Sequence, residues 1–442
     1  MSVSELLDVR PGEAASVILR RATVLDPVAG IDGVHDVVIR DGEIAELAAP
    51  GEAILEGAEV VDAEGLHAFP AFFDPHVHLR TPGHEHKEDV ETGSRAAAAG
   101  GYCGILAMAN TVPPVSTAAD VSALREQARA GASVPVGFLA TVTRGMKGEE
   151  LTEMVELREA GAVGFSDDGL PLATAQLLRR ALQYAKVTDR FVAVHAQDDS
   201  LMGKGVMHEG AVSAKLGLGG IPAIAESADV ARALEVARYE DGRLHVCHLS
   251  TALALEHLAR ARALGLRVTA EATPHHLTMT DELVYSLDSN LKMNPPLRPD
   301  DDRKALVAAL RDGLLDCVAT DHAPHAQQEK EVPFEVAPFG TTGLETAFAA
   351  LYSTLVASGE LPLGVLVERM SRAPAAIAGV KTPAIAAGAV ADLCLVDPRE
   401  RWTVAAGDLH SKSTNSAWLG RTLQGRVTLT VAAGRLVFER RA

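Results

Sequence analysis

Two histidines, separated by one residue, give the clearest indication of chemistry in this chain. His76 and His78 lie in the run DPHVHLR (74–80), at the end of an apolar segment. On a β-strand, residues two apart face the same side, so both imidazoles can bind one ion. Imidazole and carboxylate ligands with few thiols nearby suit Zn²⁺ or a similar divalent cation. The run therefore predicts a metal-dependent enzyme.

Three further polar residues end apolar, strand-like segments elsewhere in the chain: His195, His248 and Asp321. A single strand histidine is often only a hydrogen-bonded core residue, and for His195 and His248 taken alone that interpretation stays open. Asp321 is different, because burying a carboxylate without a partner is costly. A metal ion or a catalytic proton would supply that partner.

Asp167 and Asp168 end a fourth segment, just before Gly169. Adjacent strand residues face opposite sides, so only one of the two can point at a metal. The pair could instead consist of turn or cap carboxylates. Spacing alone does not choose between a bridging metal ligand and a turn.

The elements that must position these residues alternate along the middle of the chain. Helical, Ala- and Leu-rich stretches separate eight apolar strand candidates, which span 69–79, 102–110, 136–143, 162–168, 191–196, 245–250, 267–273 and 316–321. This alternation is the signature of an α/β fold of the (β/α)₈ TIM-like barrel type. Such barrels carry their chemistry at the carboxyl ends of the strands, where the candidate ligands fall.

Both ends of the chain have a different sequence pattern, in which apolar and polar residues alternate in short runs. At the N-terminal end, Asp32-Gly33 and Asp41-Gly42 predict tight turns between these runs. We expect one small β-rich domain built from both termini. The predicted organisation is an N-terminal tail (1–15), the first part of the β domain (16–66), the barrel (67–383) and the second part of the β domain (384–442).

Composition narrows the class of partner. The formal net charge of −18 argues against nucleic acid and against an anionic membrane surface. The first residues carry neither a basic nor an apolar leader pattern, and no apolar run approaches a membrane-spanning length, which favours a cytoplasmic protein. An anionic substrate would have to be bound by local positive groups.

Other polar residues follow the predicted strands. Asn110 and Asn294 could bind a polar ligand or merely satisfy turn backbone. A structural or supporting role is favoured for His275 and His276. The long connection 323–340 is unusual for a barrel and is a candidate lid.

These residues resemble the amidohydrolase superfamily, and within it the bacterial zinc dihydroorotases that lack a carboxylated lysine. The likeness extends from about Val17 onward. The motifs that carry it are DPHVHLR (74–80), FSDDG (165–169), HVCHLS (245–250), KMNPPLR (292–298), ATDHAPH (319–325) and APFG (337–340).

The resemblance implies a role for each matching residue. His76, His78 and Asp321 would hold one zinc ion, and His195 and His248 would hold the other. Asp168 and a hydroxide would bridge the two Zn²⁺ ions of each subunit, and Asp321 would also act as the catalytic proton carrier. The implied substrate-binding residues are Arg80, Asn110 and His325 for the carboxylate, Asn294 with the backbone of Phe339 and Gly340 for the ring, and also His78.

The implied activity is the reversible cyclisation of N-carbamoyl-L-aspartate to L-dihydroorotate in pyrimidine (UMP) biosynthesis. A homodimer and association with aspartate transcarbamoylase are the candidate assemblies. The alternatives are a related cyclic amidohydrolase (hydantoinase, dihydropyrimidinase or allantoinase) and a catalytically silent homologue that partners aspartate transcarbamoylase. Those cyclic amidohydrolases usually bridge their metals through a carboxylated lysine on strand four, and residues 162–168 contain no lysine.

Overall fold

The computed structural model describes residues 6–440. Its strands are β1 Val17–Asp26, β2 Ile31–Arg40, β3 Glu43–Ala48, β4 Glu59–Asp62, β5 His67–Pro70, β6 Phe72–Val77, β7 Tyr102–Ala107, β8 Val136–Phe138, β9 Phe165–Ser166, β10 Val192–Val194, β11 Met207–His208, β12 Gly220–Ile221, β13 Leu244–Val246, β14 Val268–Ala272, β15 Cys317–Val318, β16 Leu393–Thr403, β17 Thr422–Ala432 and β18 Arg435–Glu439.

The α-helices are α1 Val90–Ala99, α2 Ala118–Gly131, α3 Met154–Ala160, α4 Ala175–Thr188, α5 Asp199–Met202, α6 Ala211–Leu216, α7 Ala223–Glu240, α8 Ala252–Ala263, α9 Pro274–Thr278, α10 Asp300–Asp312, α11 Gln327–Lys330, α12 Ala347–Leu351, α13 Leu363–Met370 and α14 Arg372–Ala378. A π-helical turn, Tyr352–Val356, follows α12. In the described part of the chain, no helix is long and apolar enough to cross a membrane.

Eight parallel strands form the predicted barrel. They pair in the orders β6-β7-β8 and β15-β14-β13-β10-β9. Single parallel bridges close the circle, Ala140 with Phe165 on one side and Val77 with His322 on the other. The barrel prediction is confirmed, although the regular strands are shorter than the apolar runs that predicted them.

Helices cover the barrel because their apolar faces match its wall. In α4, Leu178, Ala181, Leu182 and Ala185 repeat at helical spacing and are buried. Thr174 caps the helix by accepting a hydrogen bond from the Leu177 backbone. The helix ends at Thr188, and the next residue, Asp189, adopts a left-handed conformation.

The two ends of the chain meet in one sheet, which confirms the predicted terminal β domain. Its strand order is β18-β17-β16-β5-β1-β2-β3, with β4 paired to β1. The domain boundaries stay a prediction, and β5, which begins at His67, pairs with this sheet rather than with the barrel. In the described part of the N-terminal tail, Asp8 pairs with Val136 and binds Arg125 and Arg129.

Candidate active site

Barrel closure brings His78 and Asp321 together. The bridge between Val77 and His322 is completed by the His78 N–H, which donates to the His322 carbonyl at 2.9 Å. His78 Nε2 consequently lies 2.9 Å from Asp321 Oδ1. Asp321 has φ of 48°. A non-glycine residue in the left-handed region costs on the order of 1–3 kcal/mol, which is typical of functional sites that the surrounding structure holds in place.

His76 lies deeper in the barrel. Its Nε2 is 3.4 Å from Asp168 Oδ2 and 3.6 Å from Asp321 Oδ1. This nitrogen is buried and has no hydrogen-bond partner among the described residues. A buried polar atom without a partner, facing two carboxylates, fits a position that a cation occupies.

The structure separates the two aspartates that spacing could not. Asp167 Oδ1 accepts from the Val142 backbone at 2.7 Å, and its Oδ2 accepts from the Thr143 hydroxyl at 2.5 Å. Asp168 faces the opposite way, with Oδ2 also 3.5 Å from His78 Nε2. Asp168 therefore points at the imidazoles, while Asp167 fastens the turn after β8.

His195 and His248 complete the cluster on the side of β10 and β13. His195 Nδ1 lies 2.9 Å from His248 Nε2. His248 Nε2 is 3.3 Å and His195 Nδ1 is 3.8 Å from Asp168 Oδ1. One Asp168 oxygen thus faces His76 and His78, and the other faces His195 and His248, as a bridging carboxylate would.

Glu271, on β14, supports the cluster from below. Its Oε1 accepts from His76 Nδ1 at 2.6 Å and from the His248 backbone at 3.1 Å, while Oε2 accepts from His245 Nε2 at 2.9 Å. A carboxylate on one ring nitrogen fixes the tautomer and leaves the other nitrogen to bind a metal. Neither Glu271 nor His245 was among the predicted site residues.

The electrostatics of the cluster favour a bound cation. Burial opposes the charged form of His76, but Asp168 and Glu271 outweigh it and hold the pKa of His76 well above its usual range. Burial likewise opposes ionisation of Asp321, yet the hydrogen bond from His78 and the charge of His76 lower the Asp321 pKa to about 2. The carboxylates are therefore ionised at neutral pH.

The donor set fits a metal centre. Ligand atoms of His76, His78 and Asp321 all lie within 4.8 Å of one another, and so do those of His76, Asp168 and His248. Imidazole and carboxylate are the ligands of hydrolytic metal sites. These groups can hold a metal ion.

A cavity of about 200 Å³ opens above the cluster. Its wall includes all the residues predicted to bind substrate, namely His78, Arg80, Asn110, Asn294, His325, Phe339 and Gly340. Asn110 Oδ1 accepts from His78 Nδ1 at 2.9 Å, which leaves His78 Nε2 facing Asp321. Asn294 Nδ2 donates to Gln197 Oε1 at 2.8 Å and lies 3.2 Å from His195 Nε2.

Arg80 and His325 form the positive side of this cavity. Arg80 Nε donates to the Pro324 carbonyl at 3.1 Å, and its Nη2 is 3.5 Å from His325 Nε2. Burial, followed by the charge of Arg80, lowers the pKa of His325 to about 2. Burial lowers the pKa of Arg80 only to about 10. At neutral pH the wall therefore presents one guanidinium cation beside a neutral imidazole.

Two histidines that sequence analysis assigned a supporting role remain outside the cluster. His276 Nε2 lies 2.9 Å from the Pro295 carbonyl, beside Asn294. His275 packs against it with ring centroids 4.4 Å apart. Both are buried.

A closed barrel with four histidines and two aspartates converging at the carboxyl ends of its strands has the architecture of the amidohydrolases, and these side chains are able to hold a metal ion. A model of the "Dihydro-orotase-like" family matches residues 67–253. A dihydroorotase from Geobacter metallireducens is 45% identical over 96% of this chain and 100% of its own length. One from Anaeromyxobacter dehalogenans is 47% identical, covering 94% of this chain and 96% of its own. The chain belongs to the dihydroorotase family of cyclic amide hydrolases.

Solved structures support the fold. The L-hydantoinase (dihydropyrimidinase) of Arthrobacter aurescens superposes with a TM-score of 0.86 at 24% identity, covering 97% of each chain. The dihydropyrimidinase of Brevibacillus agri superposes with a TM-score of 0.83 at 25% identity, covering 96% of this chain and 95% of its own.

Proposed function

We propose that the protein interconverts N-carbamoyl-L-aspartate and L-dihydroorotate, the ring closure that builds the pyrimidine skeleton. The observation that carries this proposal is the arrangement of Arg80 beside the His and Asp cluster in one cavity. A guanidinium offers the planar fork that matches a carboxylate. A neutral cyclic imide would leave that cation without a partner.

We further propose two Zn²⁺ ions per subunit, one held by His76, His78 and Asp321 and the other by His195 and His248, with Asp168 between them. When bound, the metal pair supplies Lewis acidity, which polarises the amide carbonyl and lowers the pKa of a water molecule. Asn110 and Glu271 contribute by fixing the tautomers of His78 and His76.

Asp321 has the geometry of the proton carrier in this proposal. Its Oδ1 contacts His78 Nε2 at 2.9 Å, and the residue lines the cavity. Ionised at neutral pH, the carboxylate can accept a proton from the attacking water and return it to the ring nitrogen that leaves. In the reverse direction it takes the amide proton as the ring closes and delivers it to the carboxylate oxygen that departs as hydroxide.

Two observations favour this reaction over that of the hydantoinases. The relatives named dihydroorotase are 43–47% identical to the chain, whereas the hydantoinase and dihydropyrimidinase structures are 24–26% identical. Residues 162–168 also offer no lysine for carboxylation. The silent-homologue alternative is disfavoured because all six ligand positions carry ligating side chains.

The test is an assay of the zinc-loaded protein with L-dihydroorotate, hydantoin and 5,6-dihydrouracil. We expect turnover of dihydroorotate well above that of the neutral rings, and a raised KM for dihydroorotate in Arg80→Met. The exposed-surface variant Arg238→Met is the control. Faster turnover of a neutral ring would favour the hydantoinase alternative, and a fully loaded protein without turnover would favour the silent homologue.

A cytoplasmic location, a homodimer and association with aspartate transcarbamoylase belong to the same proposal. The measurement is the mass of the protein alone and in mixtures with that enzyme, by light scattering. A monomeric mass that does not change in the mixture would contradict both assemblies.

A further inference from the structure

Two lysines are buried next to the cavity without a carboxylate partner. Lys292 is 3% exposed and Lys330 is 6% exposed. Lys292 Nζ donates to the Glu335 carbonyl and Lys330 Nζ to the Pro338 carbonyl, each at 2.8 Å. Neither ammonium forms an ion pair with any described residue. Burial of a charge that only neutral groups bind is costly, and such cost is concentrated at functional sites.

The lysines bind a single stretch of chain, residues 334–340, which we call the wall segment. Lys292 Nζ lies 4.7 Å from the ring centroid of Phe339 and 5.8 Å from that of Phe334, both within range of cation–π attraction. The Gly340 N–H donates to the Lys292 carbonyl at 2.8 Å. The wall segment ends in Phe339 and Gly340, which line the cavity. The two lysines therefore fix the position of the wall segment beside the cavity.

The backbone of Lys330 is itself held in place by a hydrogen bond. Its carbonyl accepts from the Ser289 hydroxyl at 2.5 Å. Lys330 is the last residue of α11, the short helix of the 323–340 connection, and lies four residues before the start of the wall segment. The connection predicted as a lid is thus pinned by buried polar contacts close to the cavity.

The charge of Lys330 acts on a residue that lines the cavity. Burial, the charge of Arg80 and then that of Lys330 together lower the pKa of His325, which lines it. The carboxylates around Lys330 that act on it are Asp288 and Glu329, and Glu329 pairs with Lys87. An anionic substrate would meet a positive potential here, although the whole chain carries a net charge of −18.

We propose that Lys292 and Lys330 are positioning residues that make the site select an anionic substrate over a neutral ring. They hold the wall segment through backbone carbonyls, so their positive charges stay available to a carboxylated ligand. This inference rests on the proposed function only in taking the substrate to be an acid. It adds two specificity-determining groups that do not themselves line the cavity.

The experiment compares Lys330→Met and Lys292→Met with the charge-retaining Lys330→Arg and Lys292→Arg. Lys186→Met, on the exposed face of α4, is the control. At pH 6, below the Lys330 pKa of about 7, we expect KM for N-carbamoyl-L-aspartate to rise about tenfold in each methionine variant, with kcat changed less than about twofold. Each arginine variant should recover most of the affinity. An arginine variant as weak as its methionine counterpart, or an unchanged KM in both methionine variants, would overturn the proposal.

Binding of orotate, measured by calorimetry on the zinc-loaded protein, provides a readout that needs no turnover. The same loss of affinity is expected, and it should shrink as salt is added because screening weakens the charge contribution. If one methionine variant does not fold, the other decides the result. Absence of turnover in the unaltered protein would contradict the proposed function, whereas orotate affinity independent of both lysine charges would contradict this inference.

Discussion

His76 Nδ1 lies 2.6 Å from Glu271 Oε1, inside a barrel core that buries both residues completely. One nitrogen of the imidazole is thereby occupied, and the other faces Asp168 and Asp321. Glu271 is itself held by His245 at 2.9 Å. The proposed metal centre therefore depends on a residue that is not one of its predicted ligands.

Replacing Glu271 by Gln should therefore weaken metal binding. We expect the affinity for zinc to fall about 10–100-fold, because a neutral amide raises the basicity of His76 less than a carboxylate does and has only one oxygen to accept the hydrogen bonds that Glu271 accepts with two. Competition with a chelator measures the affinity, with Glu235→Gln on the exposed face of α7 as the control. Unchanged affinity in Glu271→Gln would show that the contact has no part in holding the ligand.

Replacing each of the two neighbouring aspartates by Asn should have different effects, on metal binding for Asp168 and on stability for Asp167. Asp168→Asn should lose bound metal while the fold persists, because Asp168, unlike Asp167, faces the imidazoles. Asp167→Asn should keep the metal and lose about 1–3 kcal/mol of stability, since its oxygens accept from Val142 and Thr143. Bound zinc and melting temperature, measured on both variants, check the assignment. If only Asp167→Asn lost metal, the roles assigned to Asp167 and Asp168 would have to be exchanged.

Asp321→Asn should remove most of the activity without unfolding the protein. A loss of about 10²–10⁴-fold in kcat is expected, because the amide cannot carry the proton between water and ring nitrogen. Rates are to be compared at equal zinc content, since Asp321 is also a proposed ligand. Asp312→Asn, at the exposed end of α10, is the matched control. A kcat near that of the unaltered protein would refute the proton role.

Stability should depend on pH through Lys330. Burial, and then the charge of Lys292, lowers the pKa of Lys330 to about 7 from the ordinary value of 10.5. Between these values the unfolded chain binds more protons at this residue, so its contribution to stability rises with pH. The penalty for the buried charge is fully present below pH 7 and has gone by pH 10.5.

Lys330→Met removes that penalty. Its melting temperature relative to the unaltered protein should thus be highest at pH 7 and fall as the pH is raised toward 10.5. Calorimetry between pH 7 and 10.5 measures this difference in melting temperature. The melting temperature of the control Lys186→Met should differ from that of the unaltered protein by the same amount at every pH. A difference that rises with pH would mean that Lys330 is not destabilised by its charge.

Much of the architecture could be predicted because strand and helix patterns alternate clearly between 69 and 321. The barrel brings His76, His195 and Asp321 together wherever their strands end, so the cluster was predictable once the fold was. The choice between Asp167 and Asp168 was not, because it depends on which carboxylate meets the backbone of residues 142–143. The resemblance, rather than spacing, favoured Asp168.

The supporting role of Glu271 could also have been predicted from the sequence. The reasoning applied to Asp321, that a carboxylate in an apolar strand needs a partner, applies equally to a glutamate within the segment 267–273. Lys292 and Lys330 carried no comparable signal of burial, because a lysine side chain is usually exposed. Only the path of the wall segment over them accounts for their burial.

The most direct test of the metal-centred account is turnover of L-dihydroorotate measured against the number of zinc ions bound per chain. After removal of metal by a chelator we expect no activity, and stepwise addition of zinc should restore it, reaching a maximum at two ions per chain. Full turnover by the metal-free protein, or two tightly bound zinc ions with all six ligand residues replaced, would contradict the account.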